Sequence, residues 1–206
     1  MRKWQVVLMV VLALTATTAF GEEGRGYVGL STGIFLPNDS RLTDTTGDTA
    51  DVSYKAGFAL SGVAGYEIGN GLRLEGELAY KNADLDRIRV AGGSGDVNSD
   101  VWSLGFLANA FYDIKTGSMV TPYLGGGIGF ASVNVGDGTI NGIRVWKKSD
   151  DTAFAYQAVA GLGFEINKNV AVDLNYRFYG TEDVKFEMAK ADFSSNSVMV
   201  GFRYRY

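Results

Sequence analysis

The sequence predicts an all-β chain folded as an eight-stranded antiparallel up-and-down transmembrane β-barrel, with short periplasmic turns and long extracellular loops. Three observations predict it. Eight stretches alternate apolar with small or polar residues, the period of a strand with two unlike faces. The connections between these stretches alternate short and long. The composition joins 28 Gly and only 2 Pro to 13% aromatics, which favours closely packed strands bent at glycine.

The first stretch runs from about Tyr27 to Leu36, with Val28, Leu30, Ile34 and Leu36 on one face and Gly29, Ser31 and Gly33 on the other. The second, Gly57 to Ile68, sets Phe58, Leu60, Ala64, Tyr66 and Ile68 against Gly57, Ser61, Gly65 and Glu67. Gly69-Asn70-Gly71 then marks a tight hairpin. The third, Leu72 to Lys81, is the clearest: Leu72, Leu74, Leu78 and Tyr80 alternate with Arg73, Glu75, Glu77 and Lys81. The fourth, Val101 to Asp113, sets Trp102, Leu104, Phe106 and Tyr112 against Ser103, Gly105, Asn109 and Asp113. In the fifth, Leu124, Ile128 and Phe130 alternate with Gly125, Gly127, Gly129 and Ala131. The sixth, Phe154 to Ile166, sets Phe154, Tyr156, Leu162, Phe164 and Ile166 against Gln157, Gly161, Gly163 and Glu165. The seventh, Val170 to Tyr179, sets Val172, Leu174, Tyr176 and Phe178 against Asp173, Asn175 and Arg177. The last, Asn196 to Tyr206, sets Val198, Val200, Phe202, Tyr204 and Tyr206 against Ser197, Met199, Gly201, Arg203 and Arg205.

Alternation alone fits a soluble sandwich as well as a membrane barrel. The connections discriminate. Gly69–Gly71, Ile114–Met119 and Asn167–Asn169 are short, whereas Pro37–Tyr54, Asn82–Asp100, Asn134–Thr152 and Gly180–Phe193 are long and polar. A membrane barrel puts every long loop at one end. With the strand directions this sets, Trp102, Tyr80, Phe154, Tyr156 and Phe178 fall near the outer ends. Tyr66, Tyr112, Phe164, Tyr204 and Tyr206 fall near the periplasmic ends. Two aromatic belts are what two membrane interfaces select.

The start, MRKWQVVLMVVLALTATTAFGEE, has basic Arg2 and Lys3, a short apolar run and small residues before a cut at Glu22. This is the layout of a secretory signal peptide, expected over 1–21, with the barrel domain over 22–206. Its apolar run is too short for a helical span of about 20 residues. Removing Arg2 and Lys3 takes the 19 basic residues to 17 against 23 acidic, a net charge of −6. That balance argues against nucleic acid as a partner.

The chain has no Cys and no His, which removes disulfides, thiolate chemistry, His-based nucleophile pairs and His metal sites. No catalytic, cofactor-binding or metal-binding residue is therefore expected, and no cofactor. Glu75 and Glu77 are two apart because one strand face places them so, not as an acid–base pair. The glycines at 125–127 and 129 are followed by no Lys-Ser/Thr, so they do not form a phosphate loop. Asp39, Asp44, Asp48 and Asp51 match no EF-hand spacing and read as a solvated surface loop in preference to a weak divalent-ion site. Ile140, Ile143, Val145 and Trp146 could extend the third outer hairpin or touch a partner.

The candidate functional residues are the charged ones in the inward phase: Arg73, Glu75, Glu77, Asp173, Arg177, Arg203 and Arg205, with Lys81, Asp113 and Glu165 beside them. An eight-stranded barrel is just wide enough for side chains to fill it, and buried charges are tolerated when paired. The expectation is an ion-pair network that plugs the lumen, with Arg177 and Arg203 near Asp173 and Arg73 near Glu67 or Glu75.

The segments Ala64 to Tyr80 (AGYEIGNGLRLEGELAY), Leu107 to Ile114, Thr121 to Ala131 (TPYLGGGIGFA) and Ala155 to Phe178 resemble the outer-membrane β-barrel family of Gram-negative bacteria. That family holds OmpA-like transmembrane domains, small "porin family" proteins, and opacity and surface-antigen proteins. The terminal strand resembles the signal read by the outer-membrane assembly machinery: Gly201, Tyr204 and Tyr206 match it, while Met199 stands where a polar residue is usual. The resemblance implies an outer-membrane location and contact with membrane lipid and lipopolysaccharide. It also implies assembly through the C-terminal strand and an extracellular partner met by the loops. The chain ends at the barrel, so cell-wall anchoring is not carried over. The expected role is structural or surface-interaction, adhesin- or antigen-like, without enzymatic activity. The alternatives are a small-solute pore and a soluble, lipocalin-like periplasmic binding barrel.

Overall fold

The computed structural model describes residues 24–44, 49–90, 93–96, 99–136, 138–140, 143–146, 149–182, 184–186, 189–191 and 193–206. The expected signal peptide and Asp48 of the first loop lie outside the described residues.

Eight long strands carry the alternation: β1 (Arg25–Pro37), β4 (Gly57–Gly69), β5 (Leu72–Val90), β7 (Asp100–Asp113), β8 (Val120–Val135), β11 (Ser149–Glu165), β12 (Val170–Thr181) and β15 (Ser194–Arg205). They run 12 to 19 residues, beyond the roughly 9–11 that a tilted strand needs to cross hydrocarbon. Each pairs antiparallel with its chain neighbour, and β15 closes on β1 from Tyr27–Arg205 to Pro37–Ser195. The eighth strand thus lies between the first and the seventh, as expected.

The three short turns fall where the sequence puts them. Gly69, Asn70 and Gly71 all have positive φ, at 103°, 52° and 87°. Two glycines and an asparagine suit that run of left-handed backbone. At Asn167–Asn169 the Asn167 Oδ1 accepts from the backbone N–H groups of Asn169 and Val170 at 2.8 and 2.9 Å, an Asx turn that offsets the lost ladder bonds. At Ile114–Met119 the hydroxyls of Thr116 and Ser118 both donate to the Val120 carbonyl.

The long connections are corrected in part. The expected loops contain short strands β2 (Ser40–Asp44), β3 (Thr49–Tyr54), β6 (Gly93–Asp96), β9 (Gly138–Ile140), β10 (Ile143–Trp146), β13 (Val184–Phe186) and β14 (Ala189–Ala191). β2 pairs with β3, β3 with the outer end of β5, and β14 with β2 and β13. Period-two alternation continues past the membrane in RLT, ADVS and RIRV, and pairing satisfies backbone groups that a bare loop would leave to water. β9 and β10 pair with each other within the third long connection, as a sheet of their own, which is one of the two readings that Ile140 and Ile143 left open.

The faces are assigned as predicted. Leu30, Ile34, Leu74, Ile128, Leu174, Val200 and Phe202 are exposed on the outside, and Ser31, Ser61, Arg73, Glu77, Arg177 and Arg203 are buried inside. Tyr80 meets Trp102, and Tyr156 meets Phe178, on the outer surface near the long-loop end.

Closure is the property most easily tested. Tyr206 N–H donates to the Gly26 carbonyl at 3.0 Å and Arg205 N–H to the Asn169 carbonyl at 2.7 Å. Deleting Tyr204–Tyr206 removes the last rungs on both neighbours of β15. The folded, heat-modifiable band on gels should fall severalfold in membranes. Shortening the loop between β9 and β10 should leave it unchanged.

Candidate functional site

The interior is built from the odd or even phase of each strand, and its contents change with depth. At the periplasmic end three arginines meet four carboxylates. Arg205 on β15 holds Glu165 on β11 with two bonds of 2.6 and 2.8 Å and Glu67 on β4 at 2.6 Å. Arg203 reaches Asp173 at 3.2 Å and Glu67 at 3.6 Å. The Arg73 Nε–H donates to both oxygens of Asp113, at 2.8 and 3.0 Å, a bifurcated, charge-assisted bond. The Arg73 guanidinium also lies 4.8, 5.1 and 5.7 Å from the ring centroids of Phe111, Tyr123 and Tyr27. Those rings cover its faces as its edge bonds to oxygen.

Above this lies a second net. Tyr27 Oη donates to Glu75 at 3.0 Å, and Asn109 Nδ2 donates to both Glu75 and Glu77 at 3.2 and 2.9 Å. Gln157 Nε2 donates to Glu77 at 2.7 Å and to Asn109 Oδ1 at 2.8 Å. Arg177 closes the net on Glu77 and steadies itself on Asn175 at 2.8 Å. The two carboxylates of β5 thus share one amide between them, so each proximity is screened by a donor.

Two glycines make room for the rings. A Cβ on Gly65 would overlap the Tyr27 ring, and one on Gly161 would overlap Tyr123.

Nearer the outer end the paired charges give way to a mostly apolar layer, with Lys81 and the hydroxyls of Ser103, Ser195 and Ser197 buried in it. Phe35, Ala59, Ala79, Leu107, Ala131, Ala155, Tyr179, Phe193 and Met199 form one buried cluster across the lumen. Phe193, from the residue before β15, packs against Phe35 and Tyr54 at 6.2 Å each. Lys81 crosses this layer with its Nζ 2.9 Å from the Tyr179 ring centroid.

All seven predicted network residues therefore face the lumen, but one pairing differs from expectation. Arg177 pairs with Glu77, not with Asp173. Four residues along one strand span about 13 Å, whereas the narrow barrel brings β5 opposite β12. Arg73 lies beside Glu75 at 3.9 Å, as expected, and has Asp113 as a nearer partner at 2.8 Å; the arginines of β15 occupy Glu67. Tyr27, Phe35, Phe111, Tyr123, Gln157 and Tyr179 are central and were not expected in the site. Each sits in the inward phase of its strand, and strict parity would have found them. Gly201 lies inward against Ser31, while Tyr204 and Tyr206 are exposed outside.

A closed barrel with an apolar outer surface and a charged interior is the inverse of a soluble one, and defines an integral membrane β-barrel. The chain belongs to the outer membrane protein β-barrel domain family, whose model matches residues 6–206. It is 28% identical over 180 residues to an outer membrane protein of Gluconacetobacter diazotrophicus, covering 82% of this chain and 48% of that protein. The chain spans about half the length of the curated relatives it matches. Among solved structures it is similar to OprG of Pseudomonas aeruginosa, with a TM-score of 0.64 at 16% identity over 91% of this chain and 98% of that one. It is also similar to Neisserial surface protein A, with a TM-score of 0.56 at 22% identity over 90% of this chain and 100% of that one. The protein is a bacterial outer-membrane barrel, and the soluble lipocalin-like alternative falls with that assignment.

The buried pairs differ in expected worth. Arg177→Met leaves the deeply buried Glu77 uncompensated and should cost about 3–5 kcal/mol, read as a lowered urea midpoint in lipid vesicles. Lys55→Met breaks an exposed pair with Asp86 and should move the same midpoint by no more than about 1 kcal/mol.

Proposed function

We propose that this protein is a non-conducting, non-enzymatic outer-membrane barrel that presents its outer strands and loops for surface interaction, in an adhesin- or antigen-like role. The observation that carries the reading is the apolar layer of Phe35, Leu107, Tyr179, Phe193 and Met199 across the outer half of the lumen. Ions and small polar solutes crossing so largely apolar a constriction lose hydration that the few hydroxyls beside it do not replace. Below it, arginines paired with carboxylates occupy the width that a channel would need. The absence of His from the sequence supports a role without general acid–base chemistry of the commonest kind.

Export begins with removal of residues 1–21 as a signal peptide. Tyr204 and Tyr206, with Gly201, act as the assembly signal at the closing strand. The outward apolar surface meets outer-membrane lipid and lipopolysaccharide. The extracellular partner is met by the platform of β2, β3, β14 and the outer end of β5, which joins the first, second and fourth connections. The small-solute pore is the second reading, and the charged periplasmic half of the lumen is what favours it.

Planar-bilayer recording separates the two. Refolded wild-type protein should give a flat baseline; steady, reproducible openings would replace the surface role with the pore. Cells bearing the protein should also bind host or matrix surfaces more than cells bearing a variant without residues 40–53. Equal binding would sink the surface-interaction role.

A further inference from the structure

Between the two polar nets lies a cavity of about 40 Å³, lined by Arg73, Glu75, Val159, Asp173, Arg177 and Arg203 among others. Arg203 is 3% exposed, and its Nε and Nη1 have no hydrogen-bond partner among the described protein atoms. Nη1 has only the longer contact to Glu67, at 3.6 Å. Two buried donors on a cation cost several kcal/mol unless an acceptor meets them.

We propose that this cavity is a buried water site, hydrated from the periplasmic mouth, that bridges Arg203 to the carboxylate of Glu75. Each ordered water needs roughly 10–15 Å³ of such volume and two to four polar partners, so the cavity holds about three or four. Water fits the site better than an anion does. Its three arginines are already paired, with Asp113, Glu77 and Asp173, and Glu75 and Asp173 have lone pairs left that accept from water but not from an anion. The exposure of the carboxylates fixes the direction of entry. Side-chain exposure falls from 29% at Glu165 and 24% at Glu67 through 14% at Asp113 and Asp173 to 6% at Glu75 and 1% at Glu77. Beyond Glu77 the apolar layer begins. The lower lumen is a wet vestibule that ends blind, and the one-sidedness of its hydration rests on the closed-lumen reading.

The test uses the full chain refolded in lipid nanodiscs with methyl-labelled Val, Leu and Met. Water cross-relaxation should appear at the methyls of Val63 and Val159, which line the cavity, and be absent at Leu107 and Met199. A crystal grown in bromide should have oxygen-sized density within hydrogen-bond reach of Arg203 Nε and Nη1 and no anomalous signal there. Absence of water contacts at Val63 and Val159, or a bromide peak beside Arg203, overturns the water site. Water contacts at Leu107 and Met199 as well would leave the site standing and overturn its one-sidedness together with the closed lumen.

Discussion

In hydrocarbon there is no water to take up an unpaired peptide group, so a sheet that crosses the membrane must have no edge. Everything else in this structure depends on that closure. It requires β15 to pair with β1 across the whole sequence, a contact of very high separation and correspondingly high loop-closure cost. The tight turn at Gly69–Gly71 and the Asx turn at Asn167 keep the intervening registers from slipping. A one-residue slip of β5, β12 or β15 would send that strand's inward arginines into lipid.

Closure at eight strands leaves a space that side chains must fill, and the chain fills it in two ways. The periplasmic half uses paired charges, and the outer half uses mainly rings and aliphatic groups, with Lys81 and a few hydroxyls among them. Replacing buried ion pairs with hydrophobic residues is often neutral or stabilising in a water-soluble protein. In a membrane barrel the exterior is already apolar, and a wholly apolar interior would lose the contrast between faces that sets which side of each strand turns outward. The ion pairs therefore fit a role in specifying orientation as well as in filling space.

Much of this was legible in the residues. The third stretch, where Arg73, Glu75 and Glu77 alternate with leucines, identifies both its faces unaided, and the lengths of the connections orient the barrel. The partners within the lumen were not legible. Arg177 and Asp173 are near in sequence yet belong to different levels of a tilted strand, while Glu77 is distant in sequence and adjacent in space. The aromatic residues of the interior were hidden for another reason. Tyr27 and Tyr179 have the chemistry of interface residues, and only their parity separates them from Tyr80 or Tyr204. The continuation of strands into the long connections was likewise obscured by their polarity, since paired backbone does not demand apolar side chains when one face meets water.

The pairing of β14 with β2 has a consequence for how other molecules meet this one. It stitches segments some 150 residues apart into a single surface, so that the shape displayed outside the cell belongs to neither segment alone. A peptide copied from either would not reproduce it. On the proposed surface role, recognition would be conformational, and change in one segment would be constrained by the backbone of the other. The hairpin of β9 and β10, which shares no ladder with the rest among the described residues, is the part of the surface free to vary by itself.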